Sequence, residues 1–457
     1  MIQTPDFFDP ALLNKYNLNG PRYTSYPTAL EFNNEVNDTS LVAAATDSPT
    51  RDLSLYVHIP FCHQLCYYCG CNKIVTRHAD KADRYLDYLA KEIALRQKAF
   101  KHYKVGQLHL GGGSPSFFSI EQHTRLITML KQAFDFKANA ECSIEIDPRH
   151  VDKQYLTGLA NLGYKRLSIG VQDINFDVQQ AINRIQSTSH IAELVSHARE
   201  TGFDSVNLDL IYGLPHQTEQ TFKTTLAAVK AMDPERISLF SYAHLPDRFA
   251  AQRKIKEEWL PSAQTKLALM KLAMTSLTQT GYALIGMDHF AKQNDELAIA
   301  QQRGELHRNF QGYTTLGELD MLGLGVSSIS AIYDMYGQNP KALNEYYAAL
   351  DAGTSVVVKG TQLSRDDMIR RDVIMALMCN LQVSIADIEE KWDIDFYPYF
   401  AESIDKLTPF IQDELVSVSA TSIDVDPKAR LLIRIISMSF DAYLAGKLHQ
   451  QRYSRVI

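Results

Sequence analysis

Six short apolar segments recur along the first half of the chain, and each runs into glycine, proline or a polar residue. The stretches between them have helical periodicity, as with Leu86, Leu89 and Ile93, and one begins with a capping box of Ser119 and Gln122. Alternating strands and helices indicate a parallel sheet, because parallel neighbours need long crossover connections. We therefore predict an α/β fold, a partial (β/α)6 TIM-like barrel with its chemistry at the carboxyl ends of the strands. The predicted strands are LSLYVHIP, QLHLGGG, CSIEIDP, RLSIGVQ, SVNLDLIYGLP and RISLFSYAH.

The sequence pattern changes on both sides of this repeating region. Ser364 and Asp367 form a capping box before an apolar helical stripe of Val373, Leu377 and Met378. The later segment ELVSVSATSIDVD alternates around a short turn, which predicts a hairpin among helices, as in a winged-helix-like module. We therefore predict three parts. They are an N-terminal arm over 1–50, a catalytic barrel with its extension over 51–363, and a mainly helical C-terminal domain over 364–457.

The charge of the chain argues against nucleic acid and membranes as partners. The net charge is −7 with a pI near 6.1, and residues 364–457 carry 15 acidic against 11 basic side chains. Binding to phosphates or to an anionic membrane requires a positive field. The N-terminus lacks a signal-peptide pattern, and no apolar run approaches the length of about 20 residues that spans a bilayer. We expect a cytoplasmic protein, and nothing in the sequence demands more than a monomer.

Four of the six cysteines fall between Cys62 and Cys71. Six cysteines are too few for a disulfide framework in a chain of 457 residues, so this crowding indicates metal or redox chemistry. Cys62, Cys66 and Cys69 follow a Cys-x3-Cys-x2-Cys spacing directly after the first predicted strand. Three soft thiolates from one loop favour an iron–sulfur cluster, and on a four-iron cube they leave one iron open to another molecule.

A structural zinc site is the alternative, but such a site takes four ligands in two separated pairs. No second Cys or His pair follows this loop. The remaining cysteines, Cys142 and Cys379, lie alone in apolar segments and are interpreted as small buried hydrophobic residues.

Polar and glycine residues at other predicted strand ends also indicate ligand binding. Three glycines, Gly111 to Gly113, end the second strand, where the lack of side chains lets a ligand approach the backbone. Glu145 and Asp209 each follow apolar neighbours in a predicted strand. An unpaired carboxylate is costly in that setting, so we expect a ligand or a cation near each of them.

The segment CHQLCYYC followed by GGGSP resembles the radical S-adenosylmethionine superfamily. The resemblance implies that a reduced [4Fe-4S] cluster passes an electron to S-adenosylmethionine at the open iron. A 5′-deoxyadenosyl radical is then released and abstracts hydrogen from the substrate. Tyr68 occupies the place of an aromatic residue near the adenine, although loop packing explains it equally well. The superfamily's usual GGGTP is GGGSP here, and Ser114 keeps the hydroxyl.

Longer segments resemble the oxygen-independent coproporphyrinogen III oxidase family, also called coproporphyrinogen dehydrogenases, from end to end. This resemblance implies an enzyme that decarboxylates two propionate side chains of coproporphyrinogen III to vinyl groups, giving protoporphyrinogen IX in haem biosynthesis. It also implies an electron donor such as a flavodoxin-like or ferredoxin-like protein. The segments that carry it are KYNLNGPRYTSYPTALEF, LSLYVHIPFCHQLCYYCGCNKIVTR, NLDLIYGLPHQT, YAHLPDRFAAQRKIK, IGMDHFA and LHRNFQGYTT.

The same resemblance implies two S-adenosylmethionine molecules, one on the cluster and one beside it. Arg184 could form a fork onto a carboxylate of the second, although Arg184 and Gln172 would otherwise be interpreted as ordinary surface or loop residues. By position, the first molecule is lined by Tyr56, Gly112, Glu145 and Ile329, and the second by Tyr68, Gly113, Ser114, Gln172, Arg184, Asp209 and Ala243.

The residue type at position 71 distinguishes the oxidase family from a second family of proteins with the same cysteine spacing. Radical-S-adenosylmethionine-like haem-binding chaperones resemble the pattern Cys-x3-Cys-x2-Cys-x-Phe with a later His-Asn-x-x-Tyr-Trp. In this chain Cys71 replaces the Phe and the later segment is HRNFQGYTT, and both features favour the oxidase. We interpret Cys71 as a catalytic or neighbouring thiol, because a fourth cysteine ligand would close the open iron. The propionates of the substrate need a basic pocket, for which Arg22, Lys73 and Arg77 are candidates.

Overall fold

The computed structural model describes residues 9–16 and 18–444. Their contacts divide the chain into two compact units. We call Phe32–Leu277 with Glu318–Gln362 the sheet unit, and the described residues within Met1–Glu31, Thr278–Gly317 and Leu363–Ile457 the helical unit. No helix in the described part of the chain is both long and apolar enough to cross a membrane.

The strands of the described residues are numbered in chain order. They are β1 (Asp52–Ile59), β2 (Phe61–Cys62), β3 (Ile74–Val75), β4 (Lys104–Gly112), β5 (Asp135–Ile146), β6 (Arg166–Gln172), β7 (Ser205–Tyr212), β8 (Arg236–Ser241), β9 (Tyr282–Ile285), β10 (His289–Lys292), β11 (His307–Asn309), β12 (Gly312–Thr314), β13 (Asp320–Leu324), β14 (Ile329–Ile332), β15 (Met335–Gln338), β16 (Lys359–Gln362), β17 (Gln382–Ser384), β18 (Val416–Val418) and β19 (Ser422–Val425).

The α-helices of the described residues are numbered in the same way. They are α1 (Pro10–Lys15), α2 (Asp38–Asp47), α3 (Asp80–Gln97), α4 (Ile120–Ala133), α5 (Lys153–Asn161), α6 (Phe176–Ala181), α7 (Thr188–Glu200), α8 (Glu219–Met232), α9 (Ala263–Thr278), α10 (Glu296–Arg303), α11 (Leu343–Ala352), α12 (Arg365–Asn380), α13 (Ile385–Trp392), α14 (Phe396–Tyr399), α15 (Ala401–Gln412) and α16 (Ile433–Ser437).

The strands of the sheet unit are ordered β16-β15-β14-β13-β1-β4-β5-β6-β7-β8. From β13 to β8 every neighbouring pair is parallel, whereas β13 to β16 form an antiparallel meander. The six strands β1 and β4 to β8 coincide with the six segments predicted from the sequence. The α/β fold with a partial parallel barrel is therefore confirmed.

Each parallel strand has an apolar face and a polar face. In β1, Leu53, Leu55 and Val57 are completely buried, and Ser54, Tyr56 and His58 alternate with them. Successive side chains of a strand point to opposite sides, so this alternation gives the sheet two chemically different surfaces. The helices cover the apolar side, as α3 does with the buried side chains of Leu86 and Leu89. The other side of the sheet carries the polar side chains, such as Ser54, Tyr56 and His58 of β1.

The helix starts and the hairpin predicted from the sequence are present. Ser119 and Gln122 cap α4 reciprocally, and Ser364 and Asp367 cap α12. Val373, Leu377 and Met378 of α12 are buried, as the predicted stripe requires. The predicted hairpin is β18 with β19, and β17 pairs with the other edge of β19 to make a sheet of three strands.

The grouping of residues into units does not follow the three predicted segments. Residues 278–317, which we had assigned to the catalytic part, belong with the residues beyond 362. The described part of the N-terminal arm also belongs there up to Glu31. Lys15 forms a 2.6 Å ion pair with Asp413 at the end of α15, and Tyr23 donates a 2.8 Å hydrogen bond to Asp441. The first part of the arm is therefore packed within the helical unit.

Candidate active site

The cysteine loop, residues 62–71, is closed at its base by a two-residue parallel ladder. Cys62 ends β2, and β2 pairs with β3, which follows the loop. The Thr76 amide donates to the Cys62 carbonyl at 3.0 Å, and Asn183 donates to the Leu65 carbonyl at 2.8 Å. These contacts hold the loop against the sheet unit at both its base and its outer side. Cys62, Cys66 and Cys69 all come from this loop.

The thiols of the loop have unlike acidities. A hydrogen bond from Cys71, helped by the charge of Lys73, lowers the pKa of Cys69 to about 6 despite burial. Burial and the neighbouring thiols Cys69 and Cys66 raise the pKa of Cys62 to about 12. A bound metal ion would reverse the rise in the pKa of Cys62, since coordination deprotonates a thiol outright. The thiols of the loop are therefore suited to a cationic iron–sulfur centre, which would hold them as thiolates.

Two arginines face the sulfur of Cys66. Arg149 Nη2 and Arg184 Nη1 each donate to Cys66 Sγ at 3.4 Å, and both guanidinium groups contact Asp147. Although Asp147 is buried, the charges of Arg184 and Arg149 hold the pKa of this carboxyl far below its usual range. Hydrogen bonds and positive charge at a ligand sulfur are what tune an iron–sulfur centre. These residues suit a thiolate ligand better than a neutral thiol.

No three His, Cys, Asp or Glu side chains converge on a single-ion site within residues 9–16 and 18–444. The three thiolates of a cube each bind a different iron, so they stand further apart than the ligands of one ion.

The glycines at the end of β4 are packed closely by neighbouring groups of the protein. A Cβ atom on Gly112 would lie 2.5 Å from the ring of His58, and one on Gly113 would lie 2.6 Å from the Pro60 carbonyl oxygen. Gly112 also has a φ of +114°, which L side chains rarely adopt. Both positions therefore require glycine, because the His58 ring and the Pro60 carbonyl pack directly against their backbone.

Tyr56, His109 and Glu145 lie on neighbouring strands of the polar face. The rings of Tyr56 and His109 stack at 5.9 Å, and His109 bonds to Ser143 at 2.7 Å and to Glu145 at 3.2 Å. The Glu145 side chain is 44% exposed, so the cost of burial that we had assumed from the sequence is much reduced. Its second oxygen faces the space beside Gly111, where a Cβ atom would lie 3.2 Å away.

Asp209 continues the polar face on β7. Ser168 donates to one of its oxygens at 3.2 Å, and Asn207 donates to the other at 2.8 Å. Asn207 also contacts Ser168 and Ser238, so four polar residues from three adjacent strands form one network. Asp209 is half-buried, and hydroxyl and amide donors satisfy its carboxylate and hold the side chain in place.

The other predicted residues lie around these groups in the sheet unit. Gln172 is buried, with a φ of +65° at the end of β6, and Tyr68 packs with the core of Val178 and Ile182. The Ser114 hydroxyl contacts that of Ser116 at 2.9 Å. Ile329 begins β14, and Gly323 beside it pairs with Tyr56 of β1. Ala243 directly follows β8.

Arg184 is buried inside the sheet unit, which contradicts the alternative of a surface residue. Its Nη2 atom donates to the Gly170 carbonyl at 2.7 Å. Its buried Nε atom has no hydrogen-bond partner among the described residues, which leaves one donor for a ligand.

The candidates for a basic pocket are divided between the two units. Lys73 donates to the Cys69 carbonyl at 2.9 Å and so supports the cysteine loop. Arg77 lines a cavity of about 670 Å³ together with His63, Lys81 and Asn183. Arg22 belongs to the helical unit, whereas Lys73 and Arg77 belong to the sheet unit. Cys71 is exposed beside Cys69.

Sequence reasoning missed several residues of this site. His109, Ser143, Ser168 and Asn207 stand within the predicted strands but do not form a motif. Their alternation with apolar neighbours was the signal that could have found them. Asp147 and Arg149 follow β5 in the segment CSIEIDPRH, and their approach to Cys66 depends on the folded chain.

Two family models match the chain. The radical SAM superfamily matches residues 56–229, and the HemN C-terminal domain matches residues 363–432. Curated relatives extend the likeness over almost the whole length. A protein of Salmonella typhimurium named oxygen-independent coproporphyrinogen III oxidase is 53% identical over 98% of both chains. A protein of the same name from Synechocystis is 47% identical over 98% of both.

A solved structure has the same fold. The coproporphyrinogen III oxidase of Escherichia coli, described as a radical SAM enzyme, superposes with a TM-score of 0.93 at 52% identity. The superposition covers 97% of this chain and all of that one. Since the likeness includes both units and the sheet that carries the cysteine loop, the chain belongs to the family of oxygen-independent coproporphyrinogen III oxidases, which are radical SAM enzymes.

Proposed function

We propose that this chain oxidatively decarboxylates two propionate side chains of coproporphyrinogen III to vinyl groups without oxygen, yielding protoporphyrinogen IX in haem biosynthesis. The observation that carries the proposal is the 53% identity to relatives named for this activity, over 98% of both chains. The cysteine loop supports the same conclusion from chemistry, because three thiolates from one loop suit the iron–sulfur cluster that a radical reaction needs.

Cys62, Cys66 and Cys69 would hold a [4Fe-4S] cluster with one open iron. When bound, the cluster and S-adenosylmethionine supply the one-electron chemistry that removes hydrogen from the propionate β-carbon. Arg149 and Arg184 place positive charge at Cys66 Sγ, which favours the thiolate and the more negative, reduced state of the centre. Asp147 holds the two guanidinium groups together and limits their mutual repulsion.

Two S-adenosylmethionine molecules would lie along the polar face of the sheet unit. For the first, Gly112 lies at the end of β4, and the partly exposed Glu145 offers a carboxylate oxygen to an amino group or a ribose hydroxyl. For the second, Arg184 offers a charged donor and Asp209 a fixed acceptor. Tyr56 and Ile329 complete the first set, and Tyr68, Gly113, Ser114, Gln172 and Ala243 complete the second. All of these residues belong to the sheet unit and to the predicted segment 51–363.

Cys71 is the one exposed thiol of the cysteine loop. Its hydrogen bond lowers the pKa of Cys69 and favours the Cys69 thiolate, an effect that does not require Cys71 to bind iron. A direct catalytic role would make it a proton donor near the substrate.

The proposal includes an electron donor, an oligomeric state and a location in the cell. The cluster needs an electron donor such as a flavodoxin-like or ferredoxin-like protein, and the enzyme acts as a monomer in the cytoplasm. The net charge of −7 is unsuited to nucleic acid or an anionic membrane as a partner.

The test is anaerobic turnover of coproporphyrinogen III with S-adenosylmethionine and a reductant, following carbon dioxide and 5′-deoxyadenosine together. We expect both products to rise with protoporphyrinogen IX. Tight haem binding without release of carbon dioxide would overturn the proposal and favour a haem-binding chaperone. A colourless protein that contains zinc would overturn the cluster itself.

A further inference from the structure

Three polar side chains stand in one row across the parallel sheet. Tyr56 on β1 is paired in register with His109 on β4, and His109 is paired with Ser143 on β5. Glu145 lies two residues after Ser143 and therefore points to the same side of the sheet. The proposed function assigns Tyr56 and Glu145 to the first S-adenosylmethionine molecule, and it leaves His109 and Ser143 without a role. All four residues belong to the sheet unit.

The His109 side chain is in contact with all three of the others. Its Nδ1 atom is 2.7 Å from the Ser143 hydroxyl oxygen, and its Nε2 atom is 3.2 Å from Glu145 Oε1. Its ring stacks on the Tyr56 ring, with 5.9 Å between the centroids and 17° between the planes. The His109 side chain is only 16% exposed. These contacts fix both the position of the imidazole and the direction in which its nitrogen atoms point.

The proton positions in this row follow from the chemistry of the partners. An ionised carboxylate can only accept hydrogen bonds, so the proton between His109 and Glu145 belongs to His109 Nε2. In a neutral imidazole the other nitrogen, Nδ1, is then an acceptor, and the Ser143 hydroxyl donates to it. The second acceptor within reach of this hydroxyl is the Leu108 carbonyl, which is further away at 3.4 Å. Hydrogen bonds thus run in one direction, from Ser143 to His109 and from His109 to Glu145.

The Glu145 carboxylate is also held by the shape of β4. Gly111 follows His109 by two residues on this strand, on the side that faces Glu145. A Cβ atom on Gly111 would lie 3.0 Å from Glu145 Oε1 and 3.2 Å from Oε2, so the carboxylate rests where a side chain would otherwise stand. A glutamate side chain has several rotatable bonds, and ordering it costs conformational entropy. Contacts that order the carboxylate in advance remove this cost from ligand binding.

We propose that His109 is a positioning residue for S-adenosylmethionine binding and acts through Glu145. The Nε2–H group of His109 fixes Glu145 Oε1, and Ser143 fixes the tautomer of His109 that makes this possible. The other oxygen, Oε2, is then the one that accepts from an amino group or a ribose hydroxyl of the cofactor. The proposal rests on the proposed function, because that function assigns Glu145 to the first cofactor molecule.

The first experiment measures cofactor binding without turnover. Radiolabelled S-adenosylmethionine is equilibrated by dialysis with the anaerobic, cluster-loaded protein in the absence of substrate and reductant. His109→Phe keeps a ring beside Tyr56 but has no donor, and we expect it to weaken one of the two proposed binding events about fivefold to tenfold. His109→Gln places an amide donor where Nε2 stood, so it should restore binding to within about twofold of wild type. Failure of His109→Gln to bind better than His109→Phe would contradict the role of the donor.

His197 provides a matched control, because it has the same kinds of partners but lies between two helices. It is on α7, with Nε2 2.9 Å from the Thr157 hydroxyl of α5 and Nδ1 3.5 Å from Glu200, and its side chain is 19% exposed. Thermal unfolding of His197→Phe and His109→Phe measures how far each substitution destabilises the protein. His197→Phe should bind S-adenosylmethionine within about twofold of wild type. An equal loss of cofactor affinity in both variants would reduce the effect to general destabilisation and overturn the proposal.

A double-mutant cycle tests whether His109 acts through Glu145. Glu145→Gln removes the charged acceptor, so adding His109→Phe to that variant should weaken binding further by no more than about twofold. The same substitution in wild-type protein should weaken it about fivefold to tenfold. An equal loss in both backgrounds would show that His109 acts without Glu145, and it would overturn the positioning role.

The same measurements separate this proposal from the proposed function. If Glu145→Gln weakens binding and His109→Phe does not, the positioning role is wrong and the cofactor assignment of Glu145 stands. If Glu145→Gln binds as wild type does, the cofactor assignment fails and the positioning role fails with it. If the cycle shows the expected coupling but wild-type protein releases no carbon dioxide from coproporphyrinogen III, the positioning role stands and the oxidase function fails.

Discussion

The cysteine loop and the polar face of the sheet unit each bring several polar side chains together. The loop takes them from one short segment of the chain, whereas the polar face takes them from separate strands. The loop gathers its three thiols from eight consecutive residues, Cys62 to Cys69. The polar face gathers Tyr56, His109, Glu145 and Asp209 from four different strands, and each is held by side chains of neighbouring strands. The loop needs only to be closed at its base. The polar face needs the register of every strand to be correct, because a shift of one residue turns all side chains to the other side.

This difference predicts how each region tolerates change. No other residue can replace a cysteine of the loop as an iron ligand, so substituting one should abolish cofactor binding completely. Several residues of the polar face share the binding of one cofactor, so substituting one of them should weaken that binding only in part. Substitutions in and around both regions test this contrast, from the largest expected effect to the smallest.

Cys66→Ser should abolish both the cluster and turnover, because one iron of the cube loses its soft ligand. Iron and sulfide content together with the visible absorption of the anaerobic protein measure this directly. The matched control is Cys142→Ser on β5, whose thiol lies 3.9 Å from the Ala140 carbonyl and outside the loop. An active Cys66→Ser protein with full iron content would contradict the ligand assignment.

Glu145→Gln should raise the KM for S-adenosylmethionine about tenfold to a hundredfold, the usual effect of losing one charged hydrogen bond. Its control is Glu141→Gln on the same strand. Glu141 pairs with Arg166 at 2.5 Å, so its loss should lower the free energy of unfolding and leave the KM unchanged. Equal KM values in both variants would show that the polar face binds no cofactor at Glu145.

Arg149→Gln should make the cluster harder to reduce. Reduction adds negative charge, which the guanidinium beside Cys66 stabilises, so its removal shifts the reduction potential to more negative values. A loss of about 1.4 kcal/mol corresponds to about 60 mV for one electron. Anaerobic redox titration measures the shift, with Arg125→Gln as the control. Arg125 pairs with Asp87 at an exposed position, where such pairs contribute little.

His123 should make the sheet unit sensitive to mild acid. It is buried on α4 and contacts the Pro115 carbonyl and the Tyr155 hydroxyl, and burial lowers its pKa to about 4. The unfolded chain takes up this proton near pH 6.5, and the folded chain only near pH 4. Stability is therefore lost as the pH falls through this window, by at most about 3 kcal/mol at its lower end.

Urea unfolding of wild-type protein and His123→Gln measures this contribution. We compare the free energy of unfolding of wild type with that of His123→Gln. The difference in favour of wild type should be about 2 kcal/mol smaller at pH 5 than at pH 7. An advantage that does not change with pH would mean that His123 has no part in the acid sensitivity.

The sequence revealed most of the fold and only part of the site. Six strands, two capping boxes and a hairpin were predicted from local patterns, and all are present. The approach of Arg149 to Cys66 was not predicted, since 83 residues separate the two. The grouping of residues 278–317 with the C-terminal helices was also missed, because nothing in that segment indicates its partners. Glu145 was found as a candidate, but His109 and Ser143 beside it were not.

The sequence by itself determined the α/β class, the cysteine loop and the family, since each is written in residues close together along the chain. Tertiary structure decided which polar side chains share one face, which arginines approach the thiolate, and that His109 lies between Ser143 and Glu145. The physical reason is one of distance along the chain. Covalent linkage guarantees that neighbours in a loop stay together, whereas residues from separate strands and helices meet only when packing and strand register bring them to one place.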